Sequence, residues 1–246
     1  MKLHFLGTAP GKPMKDRFCV STMLECGGKY YLFDCGAPVA DIFARQELEL
    51  NKIAAVCITH SHGDHSYGLP LLASFCSYGV EGAKWELYMP EKDSLDALRT
   101  FIRVCDAPVH EEKIGMHVIA AGEIFRDENV AVTAVPTRHR GDGKPSFAFV
   151  IDGEGKRVII TGDLRPGTAE DFPQIAKEEP SAAIVCEMGH FPPAVIFPHM
   201  EACPTKHFFY HHVYWQDAET LQTIADADKR LPFRVCSVKD GEIWEI

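Results

Sequence analysis

The sequence predicts an α+β protein in which helices cover the outer faces of mainly β inner layers. Three observations lead there. Residues 53–58 form a continuous apolar run, the pattern of a strand buried on both faces. Residues 94–104 carry Leu95, Leu98, Phe101 and Ile102 at helical spacing, so that segment has one apolar face. The second half places short strand-like runs side by side, with turn residues between them.

Taken in order, residues 1–7 lack the long apolar core of a secretory signal and read as a first strand. Residues 29–33 form a short β-type run that ends in Asp34-Cys35-Gly36. After the 53–58 strand, residues 68–78 read as helix, 85–89 as strand and 94–104 as helix. Residues 130–135 alternate in part. Residues 147–151 and 158–161 flank Asp152-Gly153-Glu154-Gly155-Lys156, a hairpin loop. Residues 182–186 and 208–210 are further strand-like runs, and 218–229 read as helix. Residues 235–238 and 243–246 bracket Lys239-Asp240-Gly241-Glu242, which predicts a closing hairpin. With no repeat, low-complexity tract or linker, one domain over residues 1–246 is the expectation.

Composition narrows the function classes. The net charge is −10, so the long-range field repels large polyanions and anionic membrane surfaces. A small phosphate-bearing substrate in a local basic pocket stays compatible with that charge. No apolar run approaches the roughly 18 residues of a membrane span. The nine cysteines include no Cys-x-x-Cys pair, and Cys57 and Cys186 sit inside apolar runs, which fits a reducing, cytoplasmic setting.

The chemistry gathers at strand ends. The run 53–58 leads to His60, 130–135 to His139, 158–161 to Asp163, 182–186 to Glu187 and 208–210 to His211. Loops at one edge of a rigid sheet are where sites are assembled. The densest group is Thr59-His60-Ser61-His62-Gly63-Asp64-His65. Residues two apart in an extended segment point the same way, so His60 and His62 can grip one ion. Gly63 permits a turn, after which Asp64 and His65 can face a second. Imidazole with carboxylate suits Zn2+ first, and Mn2+, Fe2+ and Ni2+ fit the same donors.

His60-x-His62-x-Asp64-His65 resembles the signature of the metallo-β-lactamase fold hydrolases. Leu6-Gly7-Thr8, Phe33-Asp34-Cys35-Gly36, the stretch from Thr161 to Pro166 and Asp240-Gly241 have counterparts in the same order, over nearly the whole chain. His62 to Pro70 is most similar to the ribonuclease Z branch. The resemblance implies a four-layer αβ/βα sandwich with two divalent metal ions in a cleft at one edge. It implies His60, His62 and His139 on the first ion, Asp64, His65 and His211 on the second, and Asp163 bridging both. His211 is chosen over its neighbour His212 because the strand reads as ending there. Asp34 is expected to orient a ligating histidine.

The expected activity is a dinuclear metal-dependent hydrolase. A water made nucleophilic by two cations attacks phosphorus or carbonyl, Asp64 orients it, and His190 with Glu187 protonates the leaving group. His199 is the rival proton donor. Arg138, Arg140 and Arg165 lie close in sequence to the expected ligands and suit an anionic substrate. Ribonuclease Z carries a long arm that clamps transfer RNA. No glycine- and lysine-rich insertion of that kind lies between Pro136 and Pro166 or around Pro90. A small phosphodiester, such as a nucleotide or cyclic phosphate, therefore fits better than transfer RNA. The alternatives are a lactone or thioester hydrolase on the same metals, or a transfer-RNA 3′-processing endonuclease. Acidic relatives often dimerise, so a homodimer is one assembly open to the chain, but the sequence shows no interface and does not name the oligomer.

Overall fold

The computed structural model describes residues 1–106, 110, 112–141, 143–213 and 218–246. From the N-terminus the chain forms β1 (Lys2–Gly7), β2 (Ser21–Cys26), β3 (Lys29–Phe33), α1 (Val39–Arg45) and β4 (Ile53–Cys57). Then come α2 (Gly63–Ser66), α3 (Leu69–Tyr78), β5 (Trp85–Met89), α4 (Lys92–Val104), β6 (Ile114–Val118) and β7 (Gly122–Arg126). The second half adds β8 (Val130–Pro136), β9 (Phe147–Gly153), β10 (Lys156–Ile160), α5 (Ile175–Glu178) and β11 (Ser181–Glu187). The chain closes with α6 (Pro193–Glu201), β12 (Thr205–His211), α7 (Ala218–Arg230), β13 (Arg234–Ser237) and β14 (Ile243–Glu245).

Two seven-stranded sheets result, ordered β14-β1-β2-β3-β4-β5-β6 and β13-β12-β11-β10-β9-β8-β7. Each is antiparallel over half its width and parallel over the other half. Alternation along the strands explains the layering. In β4, Ile53 and Val56 pack outward with α1, α3 and α4, while Ala55 and Cys57 face the other sheet. In β11, Ala183 and Val185 face the first sheet, and Ile184 and Cys186 pack outward with Ile196 of α6 and Ile224 of α7. Helices thus cover both outer faces, and the expected four-layer αβ/βα sandwich is the observed architecture. Among the described residues, no helix is long and apolar enough to cross a membrane.

The closing hairpin is corrected. Strand β13 pairs in parallel with β12, whereas β14 pairs antiparallel with β1 in the other sheet. Residues 239–242 therefore carry the chain from one sheet to the other, anchored where Gly241 N–H donates to Phe5 O at 2.8 Å. Turn residues mark a reversal but do not name the strand that receives it. Strands β2, β6 and β7 and helices α1 and α6 had no strong periodic signal. The residues of β6 and β7 are largely half-buried or exposed, so their apolar pattern is thin.

The layer between the sheets is rich in aromatic residues. Phe209 of β12 is fully buried there and meets Phe5 edge-on, with ring centroids 5.5 Å apart. Phe209→Ala is expected to cost about 3–5 kcal/mol of unfolding free energy, read from the denaturant midpoint. A loss under about 1 kcal/mol would mean that this layer is loosely packed.

Candidate metal centre

The loops that follow β4, β8, β10, β11 and β12 meet at one edge of the sandwich. Gly162, between β10 and Asp163, has φ +57°, and a Cβ there would lie 2.8 Å from Thr59. Glycine therefore lets Asp163 approach the motif closely. Asp163 is buried, and its Oδ2 is the hub of the site. It lies 3.7 Å from His60 Nε2, 3.4 Å from His65 Nε2, 3.6 Å from His139 Nε2, 3.6 Å from His212 Nε2 and 3.7 Å from His190 Nδ1. Among the described residues three donor groups form: His60, His62, His139 and Asp163; Asp64, His65 and His212; and Asp163, Glu187, His190 and His212. Within each, the ligand atoms lie within 4.8 Å of one another.

Hydrogen bonds behind the rings aim these nitrogens. Asp34, held with φ 61°, accepts from Thr59 N–H at 2.7 Å and from Thr59 Oγ1–H, and it takes His65 Nδ1–H at 2.7 Å. With its proton given to Asp34, Thr59 Oγ1 is left to accept from His60 Nδ1–H at 3.1 Å. His139 donates Nδ1–H to Leu164 O at 3.1 Å. In each case Nε2 presents a lone pair to the cluster. Sequence reading named Asp34, but it missed Thr59 and the Leu164 carbonyl. Thr59 was visible as the residue directly before His60.

The donor set fits divalent ions. His62 Nδ1 lies 2.9 Å from His60 Nε2 and 3.2 Å from His139 Nε2, so three nitrogens converge at one point. A cation there could take the place of the single proton His62 Nδ1 can share between the other two. Asp163 Oδ1 and His65 Nε2 are buried without a hydrogen-bond partner. Separations of 3.4–3.7 Å around Oδ2 match the spacing of neighbouring ligands on an ion with bonds of about 2.0–2.1 Å.

The electrostatics make the same demand. Burial works against charge on Asp163, but His212, His65 and His60 hold its carboxyl well below the usual range. Burial likewise opposes ionisation of Asp64, and His212 and His65 outweigh it, lowering its pKa. For His65, burial is outweighed by Asp163 and Asp34, which raise its affinity for positive charge well above normal. A proton or a divalent ion meets that demand equally. Burial, reinforced by His65, keeps His60 neutral, the form that ligates.

His212 rather than the expected His211 faces the donor groups. His211 is buried, with its Nδ1 unpartnered, and burial pushes it down to about 3. It belongs to none of the donor groups, whereas His212 Nε2 sits 3.2 Å from Asp64 Oδ2. The reason is local. His212 has φ 55°, and this left-handed residue breaks the alternation of β12 and turns the second imidazole into the cluster.

The expected proton-transfer pair is brought together. His190 Nδ1 lies 2.9 Å from Glu187 Oε2, and Glu187 also accepts from Leu164 N–H at 2.8 Å, Gly189 N–H at 2.8 Å and His190 N–H at 3.0 Å. Glu187 outweighs burial and raises the His190 pKa. His199 lies on α6 against Phe172, apart from the donor groups. The three arginines are not assembled as a free cationic pocket. Arg138 and Arg165 both reach Glu170, at 3.6 and 3.5 Å, and Arg140 pairs with Glu91. Sequence proximity to a ligand says nothing about a carboxylate arriving from elsewhere in the chain. The basic group that does border the cluster is the β1–β2 loop. A Cβ on Gly11 would stand 3.1 Å from Asp64 Oδ2, which places the adjoining exposed Lys12 at the rim.

Two sandwiched mixed sheets with this donor cluster at their edge define a protein of the metallo-β-lactamase fold, near the ribonuclease Z branch. The sequence model of the family described as Anti-Pycsar protein Apyc1 matches residues 1–188, about three quarters of the chain, and the protein belongs to that family. Ribonuclease Z of Shouchella clausii (strain KSM-K16) is 36% identical over 163 residues, covering 63% of this chain and 49% of that protein. Ribonuclease Z of Methanocaldococcus jannaschii is 33% identical over 154 residues, 61% of this chain and 47% of that one. The chain spans about half the length of the curated relatives it matches. Human tRNase Z, short form (ELAC1), superposes with a TM-score of 0.78 at 21% identity, over 100% of this chain and 99% of that one. The fold protein YhfI from Bacillus subtilis gives 0.77 at 18% identity, over 99% of each.

The Asp34–His65 bond yields a prediction. Asp34→Asn keeps a residue that tolerates the left-handed backbone but turns an amide N–H towards His65 Nδ1 or Thr59. Metal affinity is expected to fall about 10–100-fold, as measured by zinc competition against a chromogenic chelator. Unchanged affinity would show that Asp34 does not tune the site.

Proposed function

We propose that the protein is a dinuclear metal-dependent phosphodiesterase acting on a small phosphodiester. The observation that carries the reading is the buried Asp163 Oδ2 with five imidazole nitrogens at 3.4–3.7 Å. His60, His62, His139 and Asp163 would hold one ion, with Zn2+ the best match to the donors. Asp64, His65 and His212, with Asp163 beside them, would hold the other. When bound, such ions supply Lewis acidity and a water of lowered pKa.

The chain's own groups do the rest. Asp34, Thr59 and the Leu164 carbonyl fix the rings of His65, His60 and His139. Asp64 lies at the open side of the cluster, where it orients the attacking water. Glu187 holds His190 by Nδ1, which leaves Nε2 as the atom that delivers a proton to the departing oxygen. The raised pKa of His190 suits a donor. Lys12 adds positive charge at the rim of an otherwise acidic protein. That combination favours a small anion over a long nucleic acid, whose many phosphates would meet the net charge of −10.

The test compares bis(p-nitrophenyl) phosphate and an alkyl phosphodiester with panels of lactones, thioesters and precursor transfer RNA. Phosphodiester turnover that is lost on chelation and restored by metal is expected. Turnover confined to lactones or thioesters would overturn the substrate class. His190→Ala is expected to lower kcat about 10²–10⁴-fold on the alkyl diester, and much less on the p-nitrophenyl diester, whose leaving group needs no proton. Equal losses on both would remove His190 from proton donation.

A further inference from the structure

The geometry points to Arg17 and Asp240 as positioning residues for His212, acting through the β1–β2 loop and so controlling the second ion position alone. This rests on the metal reading above. His212 departs from the strand by a left-handed residue, a conformation that needs support from its surroundings. Support comes from both sides of it. Its own N–H donates to Thr8 O at 2.9 Å, and the next carbonyl, Val213 O, accepts from Arg17 Nη2 at 2.7 Å. Both partners belong to the segment that leaves β1, so the ligand hangs from that loop.

The loop in turn is held by one carboxylate. Thr8 Oγ1 donates to Asp240 Oδ1 at 2.7 Å, and Phe18 N–H donates to Asp240 Oδ2. Asp240 thereby ties the start of the loop to its end, across more than 220 residues of sequence. It sits on the crossing between β13 and β14, itself pinned by Gly241 N–H to Phe5 O and by Val238 N–H to Tyr210 O at 3.0 Å. Arg17 is only 8% exposed, and its Nε and Nη1 have no hydrogen-bond partner among the described residues. Burying a guanidinium with one nitrogen engaged by a carbonyl is costly. The Asp240 and Asp16 charges nearby offset part of that cost. A surface cation meant for solubility would not be placed so. The first ion's ligands have other supports, since His60 leans on Thr59 and His139 on Leu164 O.

Two variants test the idea with readouts other than turnover. Arg17→Met keeps the buried stem and removes the donor to Val213 O. Asp240→Asn keeps the shape but cannot accept from both Thr8 and Phe18. In the metal-free protein, hydrogen exchange at the His212 amide is expected to quicken at least 10-fold in each variant, with Ile184 in β11 unchanged. In zinc competition, the variants are expected to keep the tighter equivalent and hold the weaker one about 10–100-fold less well. Wild-type exchange at His212 together with two wild-type equivalents would overturn the proposal. So would equal weakening of both equivalents with faster exchange at Ile184, which marks general destabilisation. A wild-type protein that takes up no metal would sink the dinuclear reading, while the exchange arm would still decide the positioning role.

Discussion

The structure depends on one buried carboxylate oxygen that faces five imidazoles. Asp163 is buried, its Oδ1 has no hydrogen-bond partner among the described residues, and its Oδ2 faces the imidazoles at 3.4–3.7 Å. Burial works against its charge, and positive charge on the surrounding rings or on an ion between them would stabilise the ionised carboxyl. The rings nearest it have their Nδ1–H groups spent elsewhere, on Asp34, Thr59 and the Leu164 carbonyl. Their Nε2 lone pairs are free to meet protons or cations within the cluster. The layers of the sandwich exist on terms set by hydrophobic burial, but the arrangement of their edge loops answers to this one demand.

Why the edge can meet it follows from the sheets. Parallel strands β10, β11 and β12 all end on the same side, delivering Asp163, Glu187 and the His211-His212 pair together. Strand β4 brings His60 to the matching edge of the other sheet, where Phe147 N–H donates to Thr59 O at 3.0 Å and joins the two. Rigid strands buried on both faces give these ends little freedom, so ligands drawn from the whole chain arrive at spacings of a few ångströms.

Much of this was legible in the residues. The run 53–58 and its motif named both a strand and its cargo, because a strand covered twice is apolar throughout and a polar cluster at its end stands out. Glu187 and His190 were readable as a pair because they lie only three positions apart. His212 was not, because a left-handed residue breaks the alternation on which strand reading relies. That Arg138 and Arg165 both reach Glu170 was not legible, because Glu170 is distant in sequence from one of them. The 239–242 crossing was misread as a hairpin, since turn chemistry is local and sheet membership is not.

Glu187 shows how the site separates holding from reacting. It stands among residues able to bind an ion, yet its oxygens already accept from three backbone N–H groups and from His190. A carboxylate so occupied would have to give up fixed donors before it could ligate. Asp163 Oδ1, by contrast, has none to give up. Two buried carboxylates a few ångströms apart are thus sorted by their backbone surroundings, one engaged with a histidine and the other left with an oxygen open to a cation. The sorting is done by the turns after β10 and β11, where Leu164 N–H is spent on Glu187 while the Leu164 carbonyl holds His139. One peptide segment thereby sets the geometry of Glu187, which holds His190, and of His139 at once.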